Sequence, residues 1–360
     1  MNTALAPASF AELVDAVRST PGLLAVGAGT KPRLSEVDAV KLSTAALRGI
    51  SEYDPSEFTF TAAAGTPLRE IAAALAERGQ YLPFDPMLAG AGATLGGTVA
   101  AGLSGPGRFR FGGLRDFILG VRFVDGLGRL LRMGGKVVKN AAGFDLPKFF
   151  VGSLGRFGVL AEITFKVFPR PSSALTVRLD AATPEAAAQV LTAAANSRFE
   201  FDALDVAPGE SVVLARLAGP AAALESIAGE IFARWSGEVV SENVAEILWA
   251  DLCAFRWADE AAALIKVALS PAAMVSLAQA VRSLDGARLH LSAGGNLAFV
   301  SLSSPAQAGA LDEHLRKLRL SGVTLRGDAP LWLGQRIRPA IAQAVKHALD
   351  PVNRFPTLDD

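Results

Sequence analysis

Residues 90–113 read GAGATLGGTVAAGLSGPGRFRFGG, and residues 134–169 read GGKVVKNAAGFDLPKFFVGSLGRFGVLAEITFKVFP. Glycine this dense, in a run that otherwise looks strand-like, belongs where backbone must approach something closely, because the Cβ that would hold a partner off is missing. Loops of Gly, Ala, Ser and Thr also present bare N–H groups in concave arrangements, which suit a pyrophosphate or another anion. The object such loops would fit is a large nucleotide cofactor.

Upstream, Ser9 followed by Glu12 opens an amphipathic run and predicts a capped helix over 9–20. Leu23–Val26 is a short apolar run ending in Gly27-Ala28-Gly29-Thr30-Lys31-Pro32, a strand entering a tight turn. Further strands are expected at 58–64, 119–124, 127–133 and 159–168, with a helix over 67–79; Asp125-Gly126 signals a hairpin. Pro169-Arg170-Pro171 marks a domain boundary. Beyond it, strands at 175–179, 212–217, 264–269, 288–292 and 297–302 alternate with helices over 184–197, 220–235, 271–284 and 305–319. That rhythm suits a small α+β sandwich of the split βαβ kind. A last helix spans 335–349 and stops at Asp350-Pro351, and no internal repeat is visible. The expected organisation is a first domain over 1–170, an α+β domain over 171–334, and a C-terminal helix and tail over 335–360 that returns to the first.

The chain has 360 residues, enough for two full cores. Hydrophobic residues make up 51% and charged residues 19%, a globular composition. Basic and acidic residues balance at 35 each, which leaves no electrostatic footprint for nucleic acid or an anionic membrane. The single cysteine, Cys253, excludes an internal disulfide and a cysteine-held iron–sulfur cluster within this chain. In the amphipathic stretch WADLCAFRWA it reads as a buried small hydrophobe before a reactive thiol. No window of 18 apolar residues runs uninterrupted, and the first residues lack the basic n-region of a signal peptide. A cytoplasmic location is expected, with peripheral contact to the inner membrane only through partners.

The turn Gly27-Ala28-Gly29-Thr30-Lys31 holds half of a dinucleotide fingerprint: the third glycine is missing, and no acidic residue stands in the right setting downstream. A tight structural turn and a phosphate loop both fit it; a Walker loop does not. After it come, in fixed order, Gly92-Ala93-Thr94-Leu95-Gly96-Gly97, Ser104-Gly105 with Gly112-Gly113, Lys139-Asn140 with Gly143-Phe144-Asp145, and Gly152-Ser153-Leu154-Gly155. Over roughly residues 9–170 this order resembles the flavin-binding domain of the family typified by vanillyl-alcohol oxidase and p-cresol methylhydroxylase (PCMH). Leu82-Pro83-Phe84-Asp85-Pro86, the Lys139–Asp145 motif and the short length narrow the resemblance to the E subunits of bacterial glycolate oxidases.

The resemblance implies an α+β fold: a two-subdomain PCMH-type FAD-binding domain with a smaller ferredoxin-like α+β cap. It implies that Gly27, Ala28, Gly29, Thr30 and Lys31 hold the FAD pyrophosphate, and that Gly92, Ala93, Thr94, Gly96 and Gly97 complete the cradle toward the ribityl chain. Ser104 and Gly105 would lie near the flavin ring, and Gly158 and Val159 would reach the adenine end through main-chain atoms. Lys139 reads either as a cation at the N1–C2 edge of the flavin or as a surface lysine on a turn. Asp145 and Glu162 read as loop-fixing acceptors. Covalent members hold their flavin through a histidine or cysteine near these segments. Here His290, His314, His347 and Cys253 all lie beyond residue 170, so noncovalent FAD is expected.

Oxidising a 2-hydroxy acid needs a cation for the carboxylate and a base for the hydroxyl proton. Related hydroxy-acid dehydrogenases carry a histidine-rich cap motif with an acidic residue. The nearest stretch here, His290-Leu291-Ser292-Ala293-Gly294-Gly295-Asn296, has one histidine and no acidic neighbour. No metal site is expected, and His290 reads as a packed residue or, less directly, a catalytic one. Relatives often end Asp-Pro and then Phe-Asn-Pro-Gly, whereas this chain has Asp350-Pro351-Val352-Asn353-Arg354-Phe355-Pro356. Surface placement is the default for Arg108, Arg110 and Arg336.

The resemblance thus implies an FAD-binding subunit that takes part in oxidising glycolate, or a similar small 2-hydroxy acid, to the 2-oxo acid. It would work beside a larger FAD subunit and an iron–sulfur subunit that take the electrons onward. Two rivals remain: a stand-alone FAD-dependent D-lactate or 2-hydroxy-acid dehydrogenase, and a non-catalytic assembly subunit with a vestigial flavin site. A nicotinamide-dependent Rossmann enzyme fits poorly, because the third glycine is missing.

Overall fold

The computed structural model describes residues 5–135, 145–336 and 340–360. The chain forms two compact units, one of residues 1–104, 112–170 and 338–360, the other of residues 105–111 and 171–337.

The first unit opens with α1 (Phe10–Ser19), N-capped by Ser9. Ser9 Oγ accepts the Glu12 N–H at 3.2 Å, and the Glu12 carboxylate accepts the Ala8 N–H at 2.9 Å. Leu13 and Val17 bury one face of this helix completely. β1 (Leu23–Val26) pairs in parallel with β2 (Val40–Ser43). Neither β2 nor β3 (Ile50–Asp54) is announced by the sequence, because VKLS and ISEYD carry no clean alternation. β4 (Thr59–Ala63), α2 (Leu68–Ala76) and the two-residue β5 (Gln80–Tyr81) follow.

The glycine-rich stretch departs from expectation. Instead of loop and strand, Leu95–Ala101 is a helix, α3, running through Gly96-Gly97. Thr94 caps it by accepting the Gly97 N–H at 3.2 Å, and Gly102 ends it. Glycine disfavours helix, but Leu95 and Val99 are fully buried here, so packing outweighs propensity.

Gly105–Phe111, with the short helix α4 (Arg108–Phe111), belongs to the second unit, whereas the sequence predicts residues 1–170 as one uninterrupted stretch of the first. The chain then returns to the first unit as β6 (Ile118–Val124), β7 (Leu130–Gly134), β8 (Val159–Lys166) and β9 (Phe168–Pro169). A five-stranded antiparallel sheet results, in the order β3-β4-β8-β6-β7, while β5 pairs with β9.

The second unit runs β10 (Ser173–Asp180), α5 (Pro184–Ala195), β11 (Ala203–Val206), β12 (Val212–Gly219), α6 (Ala221–Phe232) and β13 (Gly237–Val240). After α7 (Glu242–Ala254) come β14 (Ala263–Ala268), α8 (Met274–Arg282), β15 (Arg288–Ser292), β16 (Leu297–Leu302), α9 (Gln307–Lys317), β17 (Ser321–Arg326) and β18 (Trp332–Gly334). The strands form one sheet in the order β13-β10-β12-β11-β15-β16-β14-β17-β18.

That order contains the same arrangement twice. The first run of β-α-β-β-α-β and the second each place their fourth strand beside the first, then the third, then the second. The two halves meet edge to edge at β11 and β15, where the register shows one pair, Val206↔Leu291. The single small sandwich without repeats is therefore corrected to two ferredoxin-like halves in one sheet. The repeat lies in topology alone, since any apolar residues of suitable size and period build such a core. Helices α5, α6, α8 and α9 cover one face, where Leu191, Ile231, Leu277 and Leu311 pack with Val177, Val213, Ile265 and Val300. On the other face Trp249 and Leu252 of α7 pack against Ala203 and Leu214. The chain then rejoins the first unit as α10 (Ala340–Leu349).

Candidate functional site

In the first unit, β1 delivers the chain into the turn Gly27–Lys31. Gly27 lies against the α3 cap: a Cβ there would stand 2.3 Å from Thr94 Oγ1. Gly96 packs on Ala64, where a Cβ would meet the Ala64 Cβ at 2.7 Å and its carbonyl oxygen at 2.9 Å. Bare backbone on both sides leaves an open cleft. One part is lined by Ala25–Lys31, Thr94, Gly97, Ala100 and Leu154. An adjoining part continues past Gly27 and Gly97 to Thr44, Gly96, Ser153, Gly155 and Gly158.

Lys31 supplies the charge of this cleft. It is only 9% exposed, and its ammonium donates to Thr30 Oγ1 at 2.9 Å. Burial pushes its pKa down from 10.5 to about 8. Among the described residues the ammonium bonds one hydroxyl, and a pyrophosphate beside the backbone N–H groups of the turn would complete its partners. The residues present thus fit FAD. Gly27→Ala would press a methyl on Thr94 Oγ1 and force it off the Gly97 N–H. The expected result is an FAD affinity about tenfold weaker or more, with about 1 kcal/mol of stability lost with the cap. Fluorescence titration with FAD and urea unfolding read the two effects; an unchanged affinity would place the cofactor elsewhere.

Of the residues expected to hold FAD, Gly27, Ala28, Gly29, Thr30, Lys31, Thr94, Gly96, Gly97 and Gly158 line this cleft. Gly92 and Ala93 do not: they form the turn before α3, and Ala93 is fully buried. Val159 begins β8 with its side chain in the core. Ser104 is buried and its Oγ accepts the Leu114 N–H at 3.3 Å, while Gly105 opens the segment carried by the second unit. Lys139 lies outside the described residues, as do Asn140, Gly143 and Phe144. Asp145 pairs with Lys148 at 2.7 Å. Glu162 stands on β8, not on a loop, where it accepts from Ser51 Oγ at 2.6 Å and pairs with Arg122 at 3.3 Å. Ala100 and the Ser153-Leu154-Gly155 wall had not been assigned to the cofactor, although the Gly-Ser-Leu-Gly motif was the signal for the latter.

In the second unit, His290 is fully buried on β15. Its Nε2 stands 2.8 Å from Asp205 Oδ2, and Asp205 Oδ1 accepts the Ala293 N–H at 2.9 Å. The reading that His290 has no acidic partner is thereby corrected: β11 brings one across the seam between the halves. The imidazole is stacked on Phe299 and meets Trp257 edge-on, each at 5.8 Å between ring centres. Full burial, a fixed carboxylate and an aromatic box make His290 a packing residue. Among the described residues no three metal-ligating side chains gather. Cys253 is half-buried on α7, not fully buried. Arg110 pairs with Glu200 at 2.8 Å and Asp202 at 3.2 Å, Arg336 lies over the Trp332 ring at 4.5 Å, and Arg108 is exposed. His314 and His347 stand on α9 and α10. No helix of the described residues is long and apolar enough to cross a membrane.

Comparison with known proteins follows the same line. Residues 3–134 match the FAD binding domain family. The chain is 45% identical over 176 residues to glycolate oxidase subunit GlcE of Escherichia coli K12, covering 49% of this chain and 50% of that protein. It is 32% identical over 146 residues to glycolate oxidase subunit GlcD of Bacillus subtilis, covering 41% of this chain and 31% of that protein. A D-lactate dehydrogenase of Anaerostipes hadrus is 30% identical over 138 residues, 38% of this chain and 29% of that protein. The chain thus spans half the length, or less, of these relatives. Its fold matches that of an alkyldihydroxyacetonephosphate synthase with a TM-score of 0.71 over 97% of this chain and 75% of that one, at 15% identity. The match over residues 3–134 makes FAD the cofactor of this domain, and over its matched part the chain is similar to glycolate oxidase subunits.

Proposed function

We propose that this chain is the FAD-holding subunit of an oxidoreductase that converts glycolate, or a similar small 2-hydroxy acid, to the 2-oxo acid. The observation that carries this reading is the glycine-walled cleft around a buried, anion-seeking Lys31, in a chain 45% identical over its matched part to a glycolate oxidase subunit. FAD, when bound, supplies a two-electron acceptor. The protein's share is to neutralise the pyrophosphate at Lys31, to let it approach through Gly27 and Gly97, and to seat the rest of the cofactor along Ser153–Gly158. The flavin is held without a covalent bond, because residues 1–170 contain neither histidine nor cysteine.

The partners are a larger FAD subunit and an iron–sulfur subunit that takes the electrons onward. One cysteine in the whole chain supports placing cluster ligation elsewhere. A supporting role suits this chain better than sole catalysis, since the fully buried His290 offers no proton acceptor to an outside substrate. The purified chain should be yellow, release its flavin on denaturation, and stay oxidised when glycolate is added without air. Bleaching by glycolate in the absence of partners would make the chain a catalyst in its own right. A colourless protein that fails to take up added FAD would overturn the reading.

A further inference from the structure

The divergent C-terminal motif Asp350–Pro356 has a defined place in the first unit. Asp350 is 1% exposed at the end of α10. Its carboxylate accepts from Lys346 Nζ at 2.6 Å, from the Arg354 N–H at 2.8 Å and from the Phe355 N–H at 2.9 Å. Lys346 is 8% exposed and also donates to the carbonyls of Phe355, at 3.0 Å, and Arg156, at 2.8 Å. All three ammonium protons are thus committed.

Arg354 extends the knot. Its guanidinium donates to the carbonyls of Gly126 and Thr20, at 2.8 and 2.7 Å, and its own carbonyl accepts the Leu23 N–H at 2.9 Å. The Gly126 N–H in turn donates to the Leu349 carbonyl at 2.8 Å. A Cβ on Gly126 would stand 2.1 Å from Asp350 Oδ1, so the turn after β6 closes directly on the carboxylate.

Two of these bonds lead to the FAD cleft. Leu23 begins β1, whose end and following turn form the Ala25–Lys31 wall. Arg156 lies between Gly155 and Gly158, in the loop that forms the Ser153–Gly158 wall. Its guanidinium, 2% exposed on the residue as a whole, holds the carbonyl of Leu154, another cleft residue. From this geometry we infer that residues 346–355 form a clamp that sets the width of the FAD cleft from outside it, with Lys346 and Arg354 as cofactor-positioning residues. Neither side chain lines the cleft; each acts through main chain that does. The inference rests on this cleft being the site of FAD.

The test uses the full-length protein and FAD itself. Lys346→Met alone would strand the buried Asp350 carboxylate, so the informative pair is the neutral double variant Lys346→Met/Asp350→Asn and the single variant Arg354→Ala, which leaves no buried charge behind. Three readouts are needed: the FAD dissociation constant, the visible circular dichroism of the bound flavin, and the urea midpoint of the FAD-free protein. The double variant is expected to bind FAD about tenfold more weakly or worse with an altered flavin spectrum, and Arg354→Ala to do the same to a smaller degree. Arg316→Ala, which breaks an exposed pair with Asp312 in the second unit, should leave FAD binding unchanged. A clamp that serves only folding would lower the urea midpoint while leaving affinity and spectrum as in the wild type, and that result overturns the proposal. If the double variant does not fold, Arg354→Ala decides alone. Failure of the wild type to bind FAD would instead sink the cleft assignment itself.

Discussion

Lys31→Met is expected to stabilise the FAD-free protein and to weaken its hold on FAD, two effects of opposite sign from one substitution. Burial lowers the Lys31 pKa from 10.5 to about 8, and each pH unit of displacement corresponds to ~1.4 kcal/mol. Keeping the ammonium in the cleft at pH 7 therefore costs up to about 3 to 4 kcal/mol, which methionine does not incur. The sign of the pH dependence follows. The folded chain releases this proton near pH 8 and the unfolded chain near 10.5. Between those values the unfolded state binds more protons, so stability of the FAD-free protein rises with pH across that window and is flat below it. In Lys31→Met this contribution vanishes.

FAD binding responds in the other direction. A charge-assisted hydrogen bond to the pyrophosphate contributes about 2 kcal/mol, so Lys31→Met should raise the dissociation constant about 30-fold. In the wild type, affinity should be steady below pH 8, where the lysine already carries its proton. Above that, binding must take up a proton, and the dissociation constant should rise about tenfold per pH unit. Calorimetry in buffers of different ionisation enthalpy reads the proton uptake directly. A flat wild-type profile above pH 8, or undiminished affinity in Lys31→Met, would remove Lys31 from the pyrophosphate site. Such a trade of stability for ligand binding is common at functional sites.

How much of this was legible depended on how local its cause is. The Ser9 N-cap and the Gly27–Lys31 turn are set by residues within a few positions of one another, and both stand where the sequence puts them. The Gly90–Gly113 stretch rightly pointed to close backbone approach but not to a helix. Two glycines argue against α3, and only the buried faces of Leu95 and Val99 and the contact with Ala64 decide for it. The transfer of Gly105–Phe111 to the second unit is likewise a matter of remote contacts: Arg110 pairs with Glu200 and Asp202, ninety or more positions on. The doubling of the ferredoxin-like arrangement stayed hidden because β13, the fourth strand of the first half, has only four residues and the halves share topology rather than residues.

The Asp205–His290 pair shows the same limit most plainly, and it carries the other large expected effect. Asp205→Ala would leave the His290 Nε2 and the Ala293 N–H without partners at full burial, beside a His290 Nδ1 and a Ser292 Oγ that already have none among the described residues. Breaking one side of a buried pair costs about 3 kcal/mol or more. The seam it ties has a single register pair, so beyond that ladder contact β11 and β15 are held by this pair and by the core packing of Leu204, Val206 and Leu291. Asp205→Asn retains an acceptor for the Ala293 N–H and should cost only about 1 kcal/mol. All four tryptophans, at 235, 249, 257 and 332, lie in the second unit, and Trp257 touches the His290 ring. Tryptophan fluorescence during urea unfolding therefore reports this unit alone. The midpoint should fall sharply in Asp205→Ala and slightly in Asp205→Asn, while FAD affinity, set by residues of the first unit, stays at the wild-type value. If Asp205→Ala instead kept its midpoint and abolished substrate oxidation by the assembled complex, the pair would have to be read as catalytic machinery, and the packing role assigned to His290 would be wrong.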